Sequence, residues 1–228
     1  MPFLEKRIYS GKLLEIERYP VTKSGRRLSR GPKMKSSSKA QQNLNEKNAR
    51  KLLIRLLNVN FCERDLFVTL TYKEQVTEAQ ARKDITNYIR RLKTYRNRKR
   101  LPAIKYIIVI EMKNNRVHAH LVLSEMPMEE AERLWGKGRV TISRLEPDEY
   151  GFEALARYIT KNSCTEKNKK RWSQSRNLKR PKVVKKEIKR LNIYRPPRPL
   201  KGYKIIELET TDNIYTGTYQ YITMVKLE

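Results

Sequence analysis

The stretch Ile104-Lys-Tyr-Ile-Ile-Val-Ile-Glu-Met-Lys-Asn-Asn-Arg-Val-His-Ala-His-Leu-Val-Leu123 decides the fold. Two runs rich in β-branched residues, Ile104 to Met112 and Val117 to Leu123, flank Asn114-Asn115, a pair that tolerates the positive φ of a tight hairpin. A two-residue turn there pairs Lys113 with Arg116, Met112 with Val117 and Glu111 with His118. Side chains alternate faces along a strand, so His118 and His120, the two histidines of the chain, point one way while Ala119 and Leu121 point the other. Opposed residues of an antiparallel pair share a face with Cβ atoms ~4.5–5.5 Å apart, so Glu111 joins both imidazoles. Two nitrogens and a carboxylate on one face suit a divalent ion, Mg²⁺ or Mn²⁺, held incompletely by protein and open to a phosphate oxygen.

Working outward, Phe67 to Tyr72 is β-branched and aromatic, a strand by composition. Thr77 to Arg98 places Ile85, Tyr88, Ile89 and Leu92 at helical spacing. Downstream, Met128 to Trp135 reads as a short helix, Arg139 to Leu145 as a strand and Phe152 to Asn162 as a helix. The order β-α-β-β-α-β-α predicts an α+β fold, a ferredoxin-like antiparallel sheet with helices on one face. Upstream, Ile8 to Tyr19 reads as a strand and Ser24 to Ser38 as a mobile arm. Lys39 to Asn58 reads as a helix with Leu44, Leu52, Leu53, Leu56 and Leu57 as its apolar residues and Ser36 to Ser38 as its cap. At the other end, Arg195-Pro-Pro-Arg-Pro199 is expected to be extended, and Tyr203 to Leu208 is expected to pair with Tyr215 to Val225 across Asp212-Asn213. Four segments result: a basic extension and helix (1–60), the core (61–163), a basic segment (164–204) and a C-terminal β-hairpin (205–228).

The 228 residues carry 52 Lys and Arg against 24 Asp and Glu, a formal net charge of +28. That excess argues against an ordinary metabolic enzyme and for a polyanionic partner. Residues 61–160 hold a net +5, whereas residues 1–60 hold +11 and residues 161–204 hold +15. A moderately charged centre gripped to nucleic acid from both flanks is the expected arrangement. Within the second flank, Lys170, Arg171, Trp172, Arg176, Lys179 and Arg180 combine cations with an indole on which a base can stack. Cys62 and Cys164 have no metal-ligand spacing, no apolar run approaches the ~18 residues of a membrane span, and Met1 to Arg7 lacks an apolar leader. A soluble protein of a reducing compartment, with no membrane partner, is expected.

Thirteen tyrosines make position the selecting criterion. Phe152, Leu155, Ala156 and Ile159 form one helical stripe, from whose centre Tyr158 lies roughly 110° around the wheel, with Lys161 on the same outward side. A phenol beside an ammonium and a metal-bearing face is a candidate nucleophile toward a phosphodiester.

Phe67-Val-Thr-Leu-Thr-Tyr72, His118-Ala-His120 and Tyr158-Ile-Thr-Lys161 together resemble the three ordered motifs of the HUH endonucleases, in the spacing of their rolling-circle initiators. The resemblance covers roughly residues 61–163. It implies that Tyr158 forms a 5′-phosphotyrosine and frees a 3′-hydroxyl, that Glu111, His118 and His120 hold the metal, and that Lys161 assists beside the tyrosine or near the metal. Thr69 and Thr71, inside the first motif, are expected near the site. Ala154 and Asn162 stand where two-tyrosine members carry a second tyrosine, so the single-tyrosine type is implied. The implied partner is single-stranded DNA at a replication origin, hairpins included. The chain has no Gly-x-x-x-x-Gly-Lys-[Ser/Thr] phosphate loop, so a host helicase and polymerase would complete the work, in the cytoplasm of a bacterial cell. The competing expectations are a non-catalytic DNA- or RNA-binding protein on the same sheet and a single-tyrosine HUH transposase. Exposed aromatics on the central strands would favour RNA binding. Histidines and threonines stand there instead.

Overall fold

The computed structural model describes residues 2–21, 38–113, 116–161, 171–189, 191–192 and 195–227. All of the arm expected from Ser24 to Ser38 except Ser38 itself, the Asn114-Asn115 turn and Lys170 lie outside these residues. In chain order the elements are β1 (Phe3–Ser10), β2 (Leu13–Pro20), α1 (Lys39–Asn60), β3 (Leu66–Leu70), α2 (Glu78–Arg98), β4 (Tyr106–Lys113) and β5 (Arg116–Leu123). They continue with α3 (Met128–Arg133), β6 (Val140–Arg144), α4 (Glu153–Thr160), β7 (Ser173–Gln174), β8 (Lys182–Ile188), β9 (Tyr203–Asn213) and β10 (Gly217–Lys226). The class is α+β, and the chain forms two units, each built on an antiparallel five-stranded sheet.

One unit comprises Asn60–Asp148 and Phe152–Lys179. Its strand order is β6-β3-β5-β4-β7, so β5 lies between β3 and β4, which α2 connects: a split β-α-β arrangement, as in ferredoxin-like folds. Period-2 alternation divides the residues. Leu66, Val68 and Leu70 of β3 and Ala119, Leu121 and Leu123 of β5 are fully buried against Ile85, Tyr88, Ile89 and Leu92 of α2 and Ala131 and Trp135 at α3. Each buried Val, Leu or Ile side chain among them contributes about 1.5–3 kcal/mol by leaving water. Thr77 caps α2 by accepting from the Gln80 amide at 3.2 Å. The helix ends where Arg100 adopts φ +54, the Leu101 amide bonds back to the Arg96 carbonyl at 2.9 Å, and Pro102 forbids another turn. The buried Arg96 side chain holds that exit by donating to the Pro102 carbonyl at 2.7 Å and the Glu125 carbonyl at 2.8 Å. Helices α2 and α3 thus share one face, but the expectation that all the helices do so fails for α4, because its aromatic partners alternate to the other side of the sheet. The α4 helix sits against the other: its Tyr158 ring contacts Phe67 and His120, whose side chains alternate away from the α2 core.

The second unit comprises Met1–Val59, Glu149–Gly151 and Arg180–Glu228. Its strand order is β8-β1-β2-β10-β9. The single strand expected from Ile8 to Tyr19 is instead a hairpin that turns at Gly11, where φ is +63 and an added Cβ would stand 2.2 Å from the Asn58 carbonyl oxygen. Helix α1 lies against the sheet face bearing Glu15, Glu17 and Tyr221. Arg55 makes a two-bond fork to Glu15 and a third bond to Glu17, and Lys51 stands 5.1 Å from the Tyr221 ring centre. Leu53, Leu56 and Leu57 of α1 are buried, but Leu44 and Leu52, expected on the same stripe, are about half exposed. On the opposite face Leu14, Ile16, Ile222 and Met224 form a small core, with Leu200 and Tyr203 packed on it. Sequence division separates residues 1–60, 164–204 and 205–228. The sheet draws strands from all three.

Candidate active site

The register of β4 and β5 is the one the sequence predicts: Glu111 opposite His118, and Val109 opposite His120. On the other flank of β5, Thr69 of β3 lies opposite His120. The side chains depart from simple register. The Glu111 carboxylate reaches diagonally past its own partner, and its Oε2 lies 2.9 Å from His120 Nε2. The other ring nitrogen, Nδ1, lies 3.1 Å from the Thr69 hydroxyl. His120 is 4% exposed, so both nitrogens are paired away from water. A threonine hydroxyl donates and accepts, so Thr69 can hold either ring tautomer: donor to Nδ1 when Nε2–H faces Glu111, acceptor when the proton sits on Nδ1.

His118, on the same face, is partly exposed. The donor types, two imidazoles and a carboxylate, are those a divalent ion takes. With Glu111 and His120 bonded to each other, however, no group of three or more His, Cys, Asp or Glu side chains among the described residues is arranged to hold a metal.

Phe67, a member of the first motif whose role sequence alone does not indicate, completes the site. Its ring stacks on His120 with centroids 5.8 Å apart and planes 13° apart. Tyr158 meets both rings edge-on, at 6.1 Å from Phe67 and 5.5 Å from His120. Alternation could have found it, since Phe67 and Thr69 are two apart and share a face. Tyr158 is 60% exposed although Ala156 and Ile159 of the same helix are buried, so its hydroxyl is offered to solvent beside the histidine. Lys161, also exposed, caps α4, its amide bonding to the Tyr158 carbonyl at 3.3 Å. Arg157 is neutralised by Glu153 one turn away. Tyr72, the other tyrosine of the motifs, is unsuited to attack: burial and the nearby Asp84 charge raise its pKa. Thr71, expected near the site, gives its hydroxyl to the Arg139 carbonyl of the β6 end at 2.8 Å and serves the sheet.

The basic segment enters the same sheet. The Gln174 of β7 lies opposite Ile107, the Ser175 amide bonds to the Tyr106 carbonyl at 3.0 Å, and Trp172 Nε1 donates to Gln174 Oε1 at 2.8 Å. Gln174 shares the face of Ile107, Val109 and Glu111, so the indole of Trp172 stands on the histidine side of the sheet edge. Arg176 and Lys179 are exposed in this unit, and Arg171 is partly buried. Arg180 is exposed in the other unit.

Fold and site together describe a ferredoxin-like α+β domain carrying a histidine-carboxylate pair next to an exposed tyrosine. Residues 65–163 match the family model of the replication-associated protein ORF2/G2P, and over that span the chain is similar to replication-associated proteins. No curated protein and no solved structure matches the chain significantly. Among the described residues no helix is long and apolar enough to cross a membrane.

Proposed function

We propose that the chain is a single-tyrosine HUH endonuclease that nicks and rejoins single-stranded DNA through Tyr158 and so initiates rolling-circle replication. The observation that carries this is the placement of the exposed Tyr158 ring 5.5 Å from the His120 ring on the face that also bears Glu111 and His118. In the forward step the Tyr158 oxygen bonds to the scissile phosphorus and the P–O3′ bond breaks. The phenolic proton is given up and one is taken by the departing 3′-oxygen. The products are a 5′-phosphotyrosine and a 3′-hydroxyl, and the reverse step rejoins the strand. Attack requires that the phenol give up its proton. Lys161, one turn on from Tyr158, would supply a positive charge either beside the tyrosine or near the metal.

Glu111, His118 and His120 would hold the divalent ion, Mg²⁺ or Mn²⁺, once the Glu111–His120 bond opens; bound there, it would neutralise charge on the phosphate. Thr69 would then accept from Nδ1–H and leave Nε2 free to ligate, the outer hydrogen bond that ligating histidines usually make. Trp172 would stack a base near the same face. The description of the matched family favours replication over transposition.

The test is incubation of the full chain with single-stranded oligonucleotides tiling its replicon, with Mn²⁺ or with chelator. A protein-DNA adduct that survives denaturant, needs metal and is lost in Tyr158→Phe is the expected result. Binding without an adduct in wild type would place the chain with non-catalytic nucleic-acid binders, and an adduct in Tyr158→Phe would put the nucleophile elsewhere.

A further inference from the structure

On the face of the sheet away from His120, α2 and β4 enclose a groove of about 470 Å³ in the ferredoxin-like unit. Its floor is apolar, from Ile85 and Ile89 of α2 and Ile108 and Ile110 of β4, with the ring of Tyr106 at one end. Its rim carries Arg82, Arg90 and Lys93. Cations over an apolar and aromatic floor are what a nucleotide unit of a nucleic-acid strand requires: charge for the phosphate and a flat, dry surface for the base.

The distribution of charge points the same way. Helix α2 carries seven basic and two acidic residues, a net +5, which equals the whole net charge of residues 61–160. The core's excess therefore lies on the helix that rims this groove, behind the catalytic face. Several of these cations have structural partners. Arg82 pairs with Glu78, Arg91 donates to the Leu134 and Trp135 carbonyls, and Arg96 donates to the Pro102 and Glu125 carbonyls. Arg90 and Lys93 are exposed, and among the described residues neither has a carboxylate or carbonyl partner; Lys93 Nζ stands 5.8 Å from the centre of the Tyr106 ring.

We infer that this groove is a second single-strand binding site, taking phosphates on Arg90 and Lys93 and a base against Tyr106, on the side of the sheet opposite the scissile phosphate. It rests on the assignment of single-stranded DNA as the partner. A strand held at both faces passes around the sheet edge, which gives the enzyme a grip on DNA that does not depend on the residues that cut it.

The test measures binding of the full chain to fluorescent oligothymidylate of about 20 nucleotides, in chelator, as salt rises from about 50 to 200 mM. Each phosphate contact removed lowers the slope of log affinity against log salt by ~0.7 for a single strand. The double variant Arg90→Ala/Lys93→Ala is expected to lose about 1.4 of slope. Lys83→Ala/Arg98→Ala, which removes the same charge from exposed positions of α2 outside the groove, is expected to keep it. Tyr106→Leu is expected to weaken binding about 10-fold at unchanged slope, the stacking share of one base. Equal slope loss in both double variants, or none in either, would overturn the site. An intact affinity in Tyr106→Leu would overturn the placing of a base in it. Because binding is read without cleavage, wild type that forms no adduct sinks the catalytic assignment and leaves this measurement standing, and the reverse also holds.

Discussion

Phe67 lies flat against His120, ring on ring at 5.8 Å and 13°, and both rings meet the edge of Tyr158. The candidate nucleophile is therefore aimed by an aromatic pair, one member of which also faces the carboxylate. Aromatic contacts of this kind are worth about 0.5–1.5 kcal/mol each beyond their buried area. Phe67→Leu keeps apolar volume but loses the planar surface. It should slow adduct formation about 10-fold, the equivalent of one such contact, while oligonucleotide affinity holds. An unchanged rate would mean that Tyr158 needs no such support.

Tyr158→Phe keeps the ring in its edge-on contacts and deletes only the hydroxyl. Adduct should fall at least ~1000-fold, the scale on which enzymes lose rate when a unit of the catalytic set is removed. Thermal stability should stay within about 0.5 kcal/mol, as for other exposed substitutions. Persistence of adduct, mapped to another residue by proteolysis and mass spectrometry, would move the assignment.

Thr69→Val preserves shape in the sheet and removes the partner of His120 Nδ1. Nitrogen-15 NMR of the imidazole should show a changed tautomer ratio. The cleavage rate should fall about 10- to 100-fold, the usual range for loss of a partner behind a ligating histidine. Thr69→Ser should restore both. A rate loss without any change in the ring signals would indicate strand packing instead.

His118→Ala tests the remaining donor. Its partly exposed place on β5 makes the fold tolerant of the change. Cleavage should vanish, and salt-dependent binding of single-stranded DNA should remain nearly as in wild type. A parallel loss of binding would assign the histidine to the architecture of the sheet.

Acid stability reports on the other unit. Burial alone would raise the carboxyl of Glu5, but hydrogen bonds and charges from Arg18 and Arg7 outweigh it and hold the group below its ordinary value of 4.5. Lys6 and Arg55 do the same for Glu17 against its own burial. A carboxyl with a depressed folded pKa contributes stability that is complete above the unfolded value and disappears as pH falls through the folded one. The amides of Ile16 and Ile222 should therefore keep their hydrogen-exchange protection from pH 7 down to about 5 and lose it progressively below about 4.5. Glu5→Gln should lower stability at pH 7 by about 1.5 kcal/mol, the scale of a hydrogen bond to a charged group, because Arg18 and Arg7 lose a charged partner while Arg18 keeps its bond to Gln220, and should flatten the acid slope. Protection that rises toward acid would contradict this sign.

The part of the site most legible from sequence is the most local. Glu111 and His118 are joined by one hairpin, so turn length and alternation set their pairing, and Tyr158 is exposed where the helical wheel puts it. What sequence does not specify depends on distant partners. Strand β7 is two residues long, too short for any periodic signal, and exists because β4 offers it an edge some 65 positions earlier in the chain. The Glu111–His120 bond crosses the register diagonal, which alternation alone does not specify. The turn at Gly11 is not legible locally because Ile8 and Tyr19 are both strand formers. The glycine between them is explained by a positive φ and by the closeness of Asn58, neither of which is a local property.

The pairing of β2 with β10 sets a timetable on synthesis. Residues 13–20 leave the ribosome long before residues 217–226, which become their neighbours in the middle of the sheet. At the usual ~5–20 residues per second that delay is on the order of 10–40 s. The sequence of the ferredoxin-like unit is complete by residue 179 and can fold during this interval. A transcript cut short before β10 would thus yield a chain with Tyr158, His118 and His120 in place and the β1-β2 hairpin exposing Leu14 and Ile16, a surface that invites degradation or aggregation.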